Sequence, residues 1–290
     1  MRTVTKLMKN WQFTGPDGKV TAVDLPHTWN NIDGQDGGND YKRCTCLYQT
    51  SFAKPAFDAD SQQVWLQFEG VNASAAVTLN GTEVICHDGG YSTFRADVTA
   101  LLADDNTLTV AVDNSKNDRV YPQKADFTFY GGIYRDVSLL VVSKNHIALN
   151  YLGSCGVRIT PTVKGSSADI RVQTRVEGEG EVEITICDAA GNTVLNGSGT
   201  DTTLPLQHPR LWDGVRDPYL YSCTVRLVKN GVAVDEVTRR FGVRSFRVDP
   251  KQGFFLNGRA YPLHGVSRHQ DRKGLGNAIT REMHDEDMQL

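Results

Sequence analysis

The chain has 290 residues, more than one ordinary domain holds, so two or three domains are expected. Hydrophobic residues make up 39% and charged residues 22%, which excludes a disordered chain. A formal net charge of −3 with no basic stripe argues against a nucleic-acid partner. No apolar run nears the roughly 18–20 residues that cross a bilayer as a helix, so no membrane partner is expected either.

The first seven residues carry positive charge with no apolar segment behind them, so no secretory leader is expected. Hydrophobic residues then recur with a period of two. Val64, Leu66 and Phe68 alternate, then Ala75, Val77 and Leu79, closed by the turn dipeptide Asn80-Gly81. Leu108, Val110 and Val112 form the next such run, and Val137, Leu139 and Val141 another. Short strands at this spacing predict an antiparallel sandwich over residues 1–143. A second block, 144–245, repeats the pattern at Ile170, Val172 and Thr174, at Val182, Ile184 and Ile186, and at Tyr221, Cys223, Val225 and Leu227. Some seven short strands with a hairpin at Asn230-Gly231 predict a smaller immunoglobulin-like sandwich.

From Phe246 the character changes. Asn257-Gly258 makes one more turn, 261–266 reads as a short buried strand, and a loop rich in charge and glycine follows. Thr280 is a candidate cap for a helix running through Glu282, Met283, Asp287, Met288 and Leu290. A lone strand, loop and helix cannot bury its own apolar face, so 246–290 is expected to be the start of a further domain that continues past Leu290.

The six cysteines, Cys44, Cys46, Cys86, Cys155, Cys187 and Cys223, include one C-x-C pair with no second pair or nearby histidines. That is a poor zinc signature, and no metal site is expected in this chain. Reduced, structural thiols in a reducing compartment, the cytoplasm, are expected. Trp29, Trp65 and Trp212 are read as core or interface anchors, and the pattern assigns Trp11 no position.

Three stretches in order carry a resemblance. The first is Leu25-Pro26-His27-Thr28-Trp29-Asn30, leading through Gly37-Gly38-Asn39-Asp40-Tyr41 to Tyr48; the second runs from Asp126 through Tyr130-Gly131-Gly132-Ile133-Tyr134-Arg135-Asp136-Val137. The third is Phe255-Leu256-Asn257-Gly258, continuing to His264-Gly265-Val266-Ser267-Arg268-His269-Gln270-Asp271. With Phe241-Gly242-Val243-Arg244, these resemble family 2 glycoside hydrolases, nearest the β-galactosidase branch, over essentially the whole chain. The resemblance implies a mainly β architecture: a jelly-roll, galactose-binding-like β-sandwich, an immunoglobulin-like β-sandwich, and the first βα unit of a truncated (β/α)8 barrel. Cys44 departs from it, standing where similar loops lead one to expect glycine.

The resemblance implies a retaining hydrolase of terminal β-D-galactosides, with a homo-oligomeric parent and a divalent metal in the barrel as open points. Retaining chemistry needs two carboxyl groups about 5–5.5 Å apart, and in this family both are glutamates on later barrel strands. No catalytic residue is therefore expected in this chain; nucleophile and acid/base are expected after Leu290. Glu282 and Glu286 are rejected because they fall on the first barrel helix, away from the barrel mouth.

What remains is the rim of a sugar site. The resemblance aligns Asp126 with an acidic residue projected into the sugar pocket, where a carboxylate can accept from two adjacent hydroxyls; the plainer reading is a turn aspartate. Asn39 and Asp40 fall in a glycine-rich loop that is either a pocket edge or an ordinary exposed loop. Arg268 and His269 follow the first barrel strand on the face where barrel chemistry sits, with Asp271 a further candidate. Either of the two could bind substrate, orient a carboxylate or serve the fold. Gly131-Gly132 is not a phosphate loop, since no helix follows, and Arg135 and Asp136 are expected in an ion pair or domain contact. The rivals are a free-standing carbohydrate-binding module, the equivalent part of a β-glucuronidase or β-mannosidase, and a structural sandwich array.

Overall fold

The structure is a computed structural model that describes the whole chain except residues 35–41, 123, 124, 126, 152 and 153. It is mainly β, and among the described residues Arg281–Gln289 is the single α-helix. The chain divides into two units. One comprises residues 3–141 together with 268–290, the other residues 1–2 with 142–267.

In the unit built on 3–141, a six-stranded sheet runs in the order Val20–Val23, Trp11–Thr14, Thr45–Ala53, Asp105–Asp113, Ser74–Leu79, Thr82–Asp88. A four-stranded sheet runs Thr3–Lys6, Val137–Ser143, Gln62–Phe68, Phe94–Asp97. The antiparallel register sets three rows across the larger sheet: Cys46, Val112 and Ala75; Tyr48, Val110 and Val77; Thr50, Leu108 and Leu79. Side chains two apart share a face, so each row is buried while its strand neighbours turn outward. Val64, Leu66 and Phe68 close the core from the smaller sheet. Each such fully buried apolar side chain is worth about 1.5–3 kcal/mol over exposure. Trp11 takes a place here too: it is fully buried and its indole N–H donates to the Leu7 carbonyl at 2.8 Å.

The strand Val137–Ser143 departs from the predicted alternation. Residues 137 to 142 are all buried, Ser138 and Leu140 included, so the strand is covered on both faces.

In the other unit a three-stranded sheet, Val157–Lys164, Ser167–Thr174, Asp201–Gln207, accompanies a four-stranded sheet, Thr193–Ser198, Glu181–Cys187, Tyr221–Lys229, Val232–Phe241. Its core is Ile170, Val172, Ile184, Ile186, Cys223, Val225 and Leu227, the alternating sets read from the sequence. The turns at Asn80-Gly81, Asn230-Gly231 and Asn257-Gly258 all place both residues at positive φ, which matches the twist of the strands they join. All six cysteines are free thiols.

Two expectations near the C-terminus are corrected. Residues 261–266 form no strand, and Leu263 and Val266 are 70% and 90% exposed. An apolar run becomes a buried strand only with hydrogen-bonded neighbours on its flanks, and beyond the Tyr261 N–H, which donates to the Phe254 carbonyl at 2.9 Å, no strand pairs with it among the described residues. The helix Arg281–Gln289 forms as expected, but the Thr280 side chain makes no capping bond. The Thr280 hydroxyl instead helps hold the Glu282 carboxyl below its usual range, after the backbone N–H of Glu282 itself.

Candidate functional site

The Leu25–Asn30 and Phe129–Ile133 stretches are knit together inside the first-named unit. The His27 N–H donates to the Ile133 carbonyl at 2.9 Å and the Trp29 N–H to the Gly131 carbonyl at 3.2 Å. Asn30, almost wholly buried, accepts from the Gly131 N–H at 2.8 Å and donates to the Phe129 carbonyl at 3.2 Å. Gly131 is demanded by contact: a Cβ there would lie 2.1 Å from the Trp29 ring. The glycine pair therefore serves close packing, and Trp29 is the anchor it packs on.

These contacts hold Tyr130 at the wall of a cavity of about 470 Å³, within the range of small-ligand sites. Tyr91, Phe127, Tyr130 and Tyr134 supply aromatic walls, while Arg135, Arg268, His269, Gln270 and Asp271 supply polar ones. Burial pushes the Tyr134 phenol up to about 12, so it stays protonated and donates to the Gly90 carbonyl. Arg135 lies over the Tyr134 ring, and Asp136 pairs with Lys6 at 2.6 Å.

Residues 268–290 complete the cavity from within the same unit. The Thr28 hydroxyl donates to the Leu275 carbonyl and the Asn31 amide to the Gly274 carbonyl, each at 2.7 Å. Gly276 sits where a Cβ would come within 2.8 Å of the Tyr130 ring. The Tyr130 hydroxyl donates to Asp271 Oδ2 at 3.0 Å.

The predicted site residues divide. Arg268 lines the cavity, but its guanidinium is engaged: Nε and Nη2 donate to Asp287 Oδ2, and Nη1 to His284 Nδ1 at 3.1 Å. Arg272 reaches the same helix, donating to Asp287 Oδ1, Glu286 Oε2 and the Met283 carbonyl, each at 2.8 Å. The two guanidinium groups, Arg268 first, hold the Asp287 carboxyl below its usual range. Arg268 thus fastens the helix to the cavity wall. His269 lines the cavity and is exposed. Asn39, Asp40 and Asp126 lie outside the described residues.

Sequence reasoning did not single out Tyr130, His284 or Asp287 as site residues. His284 and Asp287 are three apart on a helix and so share a face, the one signal that was available. Glu282 and Glu286 do not line the cavity, and Asp271 is its one carboxylate among the described residues. Among those residues no group of three or more His, Cys, Asp or Glu side chains gathers to hold a metal. The arrangement suits a small polyhydroxylated molecule, with rings against its C–H faces and polar groups for its hydroxyls. It lacks, among the described residues, the carboxylate pair that glycoside cleavage needs.

Comparison with known proteins places this geometry. Residues 7–143 match the family model described as glycosyl hydrolases family 2, sugar binding domain, and residues 146–244 that described as glycosyl hydrolases family 2. A β-glucuronidase of Bacteroides fragilis is 37% identical over 306 residues, covering 98% of this chain and 44% of the relative. The crystal structure of an FMN-binding β-glucuronidase from Facaelibacterium prausnitzii L2-6 superposes with a TM-score of 0.95 at 39% identity, over 100% of this chain and 46% of that one. A putative β-galactosidase from Bacteroides fragilis superposes with a TM-score of 0.92 at 37% identity, over 99% and 48%. The chain spans less than half the length of each of these proteins.

Proposed function

The chain belongs to glycosyl hydrolases family 2, and from that we propose that it forms the sugar-binding front of a retaining β-glycosidase. The cavity beside Tyr130 and Asp271 carries this reading: aromatic walls from the segment matching the family's sugar-binding domain meet hydrogen-bonding groups from residues 268–284 there. In this reading residues 1–143 are the sugar-binding sandwich, 144–245 the immunoglobulin-like sandwich and 246–290 the start of the barrel. His269 and Asp126 are assigned to sugar binding, and Arg268 positions its neighbours. In the same reading cleavage falls to two carboxylates outside residues 1–290, since the cavity wall carries one carboxylate, Asp271, among the described residues.

The names of the relatives bear on the substrate. Terminal β-D-glucuronides are the first choice, because the β-glucuronidases of Bacteroides fragilis and Facaelibacterium prausnitzii are 37% and 39% identical. Terminal β-D-galactosides are the second reading, favoured by the likeness to the putative β-galactosidase. The test is hydrolysis of chromogenic β-glucuronides and β-galactosides by the full-length protein and by the 290-residue chain. Activity in the full-length protein alone, with a preference of about tenfold or more for one sugar, supports the reading and names the substrate. Tight glycan binding by the 290-residue chain, with no hydrolysis by either, replaces it with a carbohydrate-binding module.

A further inference from the structure

The acids and bases around the cavity sort into satisfied and unsatisfied groups. Asp287 and Glu286 are taken by Arg268 and Arg272. Asp271 has no cationic partner among the described residues; its one hydrogen bond there is from the Tyr130 hydroxyl to Oδ2, at 3.0 Å. Oδ1 is left to whatever enters the cavity that Asp271 lines.

We propose that Asp271 is a substrate-binding residue, whose Oδ1 accepts a hydrogen bond from a ring hydroxyl of the sugar, and that Tyr130 is its positioning residue. This assignment rests on the glycosidase reading and deepens it. A carboxylate oxygen is the strongest acceptor a protein offers a hydroxyl, and its worth depends on being aimed before the sugar arrives. Tyr130 supplies that aim. It is 4% exposed, its carbonyl accepts from the Asn72 amide, and Gly276 packs on its ring. Its hydroxyl fixes one carboxylate oxygen and so orients the other. Arg268, the adjacent cation of the wall, is spent on Asp287 and does not compete for Asp271.

The test uses the full-length protein, a chromogenic β-glycoside and the monodeoxy analogues of its sugar. Asp271→Ala is expected to lower kcat/KM about ten- to a hundredfold on the parent glycoside. On the one analogue lacking the partnered hydroxyl the loss shrinks to about twofold or less, because the contact is already gone. Tyr130→Phe, which removes a single oxygen, lowers kcat/KM in the same direction and adds little further loss to Asp271→Ala. Asp271→Asn keeps the shape and serves if the alanine variant does not fold. An equal loss on every analogue marks a structural role and overturns the proposal, as does no loss on any of them; the glycosidase reading survives both. A parent protein that cleaves no β-glycoside overturns the reading and this assignment with it.

Discussion

Arg2 lays its guanidinium along the fully buried carboxylate of Asp235, Nε to Oδ1 and Nη2 to Oδ2, both at 2.7 Å. Asp235 Oδ2 also accepts the Ile147 N–H at 2.7 Å, and Arg2 donates to the Ile147 carbonyl. A buried pair of this kind is net-stabilising only weakly, but removing one partner strands the other charge. Arg2→Ala is therefore expected to destabilise its unit by about 3–5 kcal/mol in urea unfolding. The double replacement Arg2→Met with Asp235→Leu costs clearly less. Equal costs for the single and the double change would show that the carboxylate is not stranded.

His27 carries a pH dependence. Its Nδ1 lies 2.7 Å from the Tyr48 hydroxyl, and burial lowers its pKa from 6.5 to about 4. Between those values the unfolded chain takes up a proton that the folded chain refuses, so stability rises with pH there. The contribution is complete above about pH 6.5 and falls away as pH drops towards 4. Thermal midpoints measured from pH 7.5 to 4 should decline through this window, and His27→Gln should flatten the decline. An unchanged slope in His27→Gln assigns it to other groups.

Gly131 and Gly132 should tolerate alanine differently. At 131 the three atoms nearest the added Cβ all belong to the Trp29 ring, the first at 2.1 Å; at 132 it meets the His27 carbonyl oxygen at 2.2 Å, with φ at +147°. Gly131→Ala is expected to cost about 1–3 kcal/mol, partly recovered by Trp29→Phe in the same chain. Gly132→Ala costs more and is not rescued, because backbone cannot step aside and the conformation itself disfavours a side chain. Chemical denaturation of Gly131→Ala, Gly132→Ala, Trp29→Phe and the two double variants gives the comparison, and strict additivity of Gly131→Ala with Trp29→Phe would disprove the ring clash.

Arg268 should matter to the helix before it matters to any ligand. Asp287→Asn and Arg268→Ala are both expected to raise amide exchange across residues 281–289 by several-fold or more, because no residue of that helix is buried and its ion pairs tie it down. Arg268→Lys restores little, since an ammonium cannot present two donors in one plane. Unchanged exchange in Arg268→Ala would free Arg268 for the sugar.

How much of this was readable from the chain differs by element. The runs at Val64, Ala75, Leu108, Ile170, Ile184 and Cys223 identified both sandwich cores, because a period of two is a local property and burial follows from it. The Asn-Gly turns were equally local. Trp11 and the two-sided burial of Leu140 were not readable, since neither follows from the strand's own pattern. The 261–266 run misled for the same reason: its apolar residues describe a strand's interior without supplying its neighbours.

At the site the division is sharper. The sequence by itself singled out the 25–30, 126–137 and 264–271 stretches as carriers of the family resemblance, and led to the expectation that Glu282 and Glu286 are not the catalytic pair. Only the tertiary structure decided what each side chain does there. Tyr130 meets Asp271 across 141 residues of sequence, Arg2 meets Asp235 across 233, and Arg268 is claimed by Asp287 rather than left to the cavity. Periodicity encodes which face a residue takes on its own strand or helix. Which distant side chains then share a hydrogen bond is set by how the strands and the loops at their ends come together, and that information is in no single window of the chain.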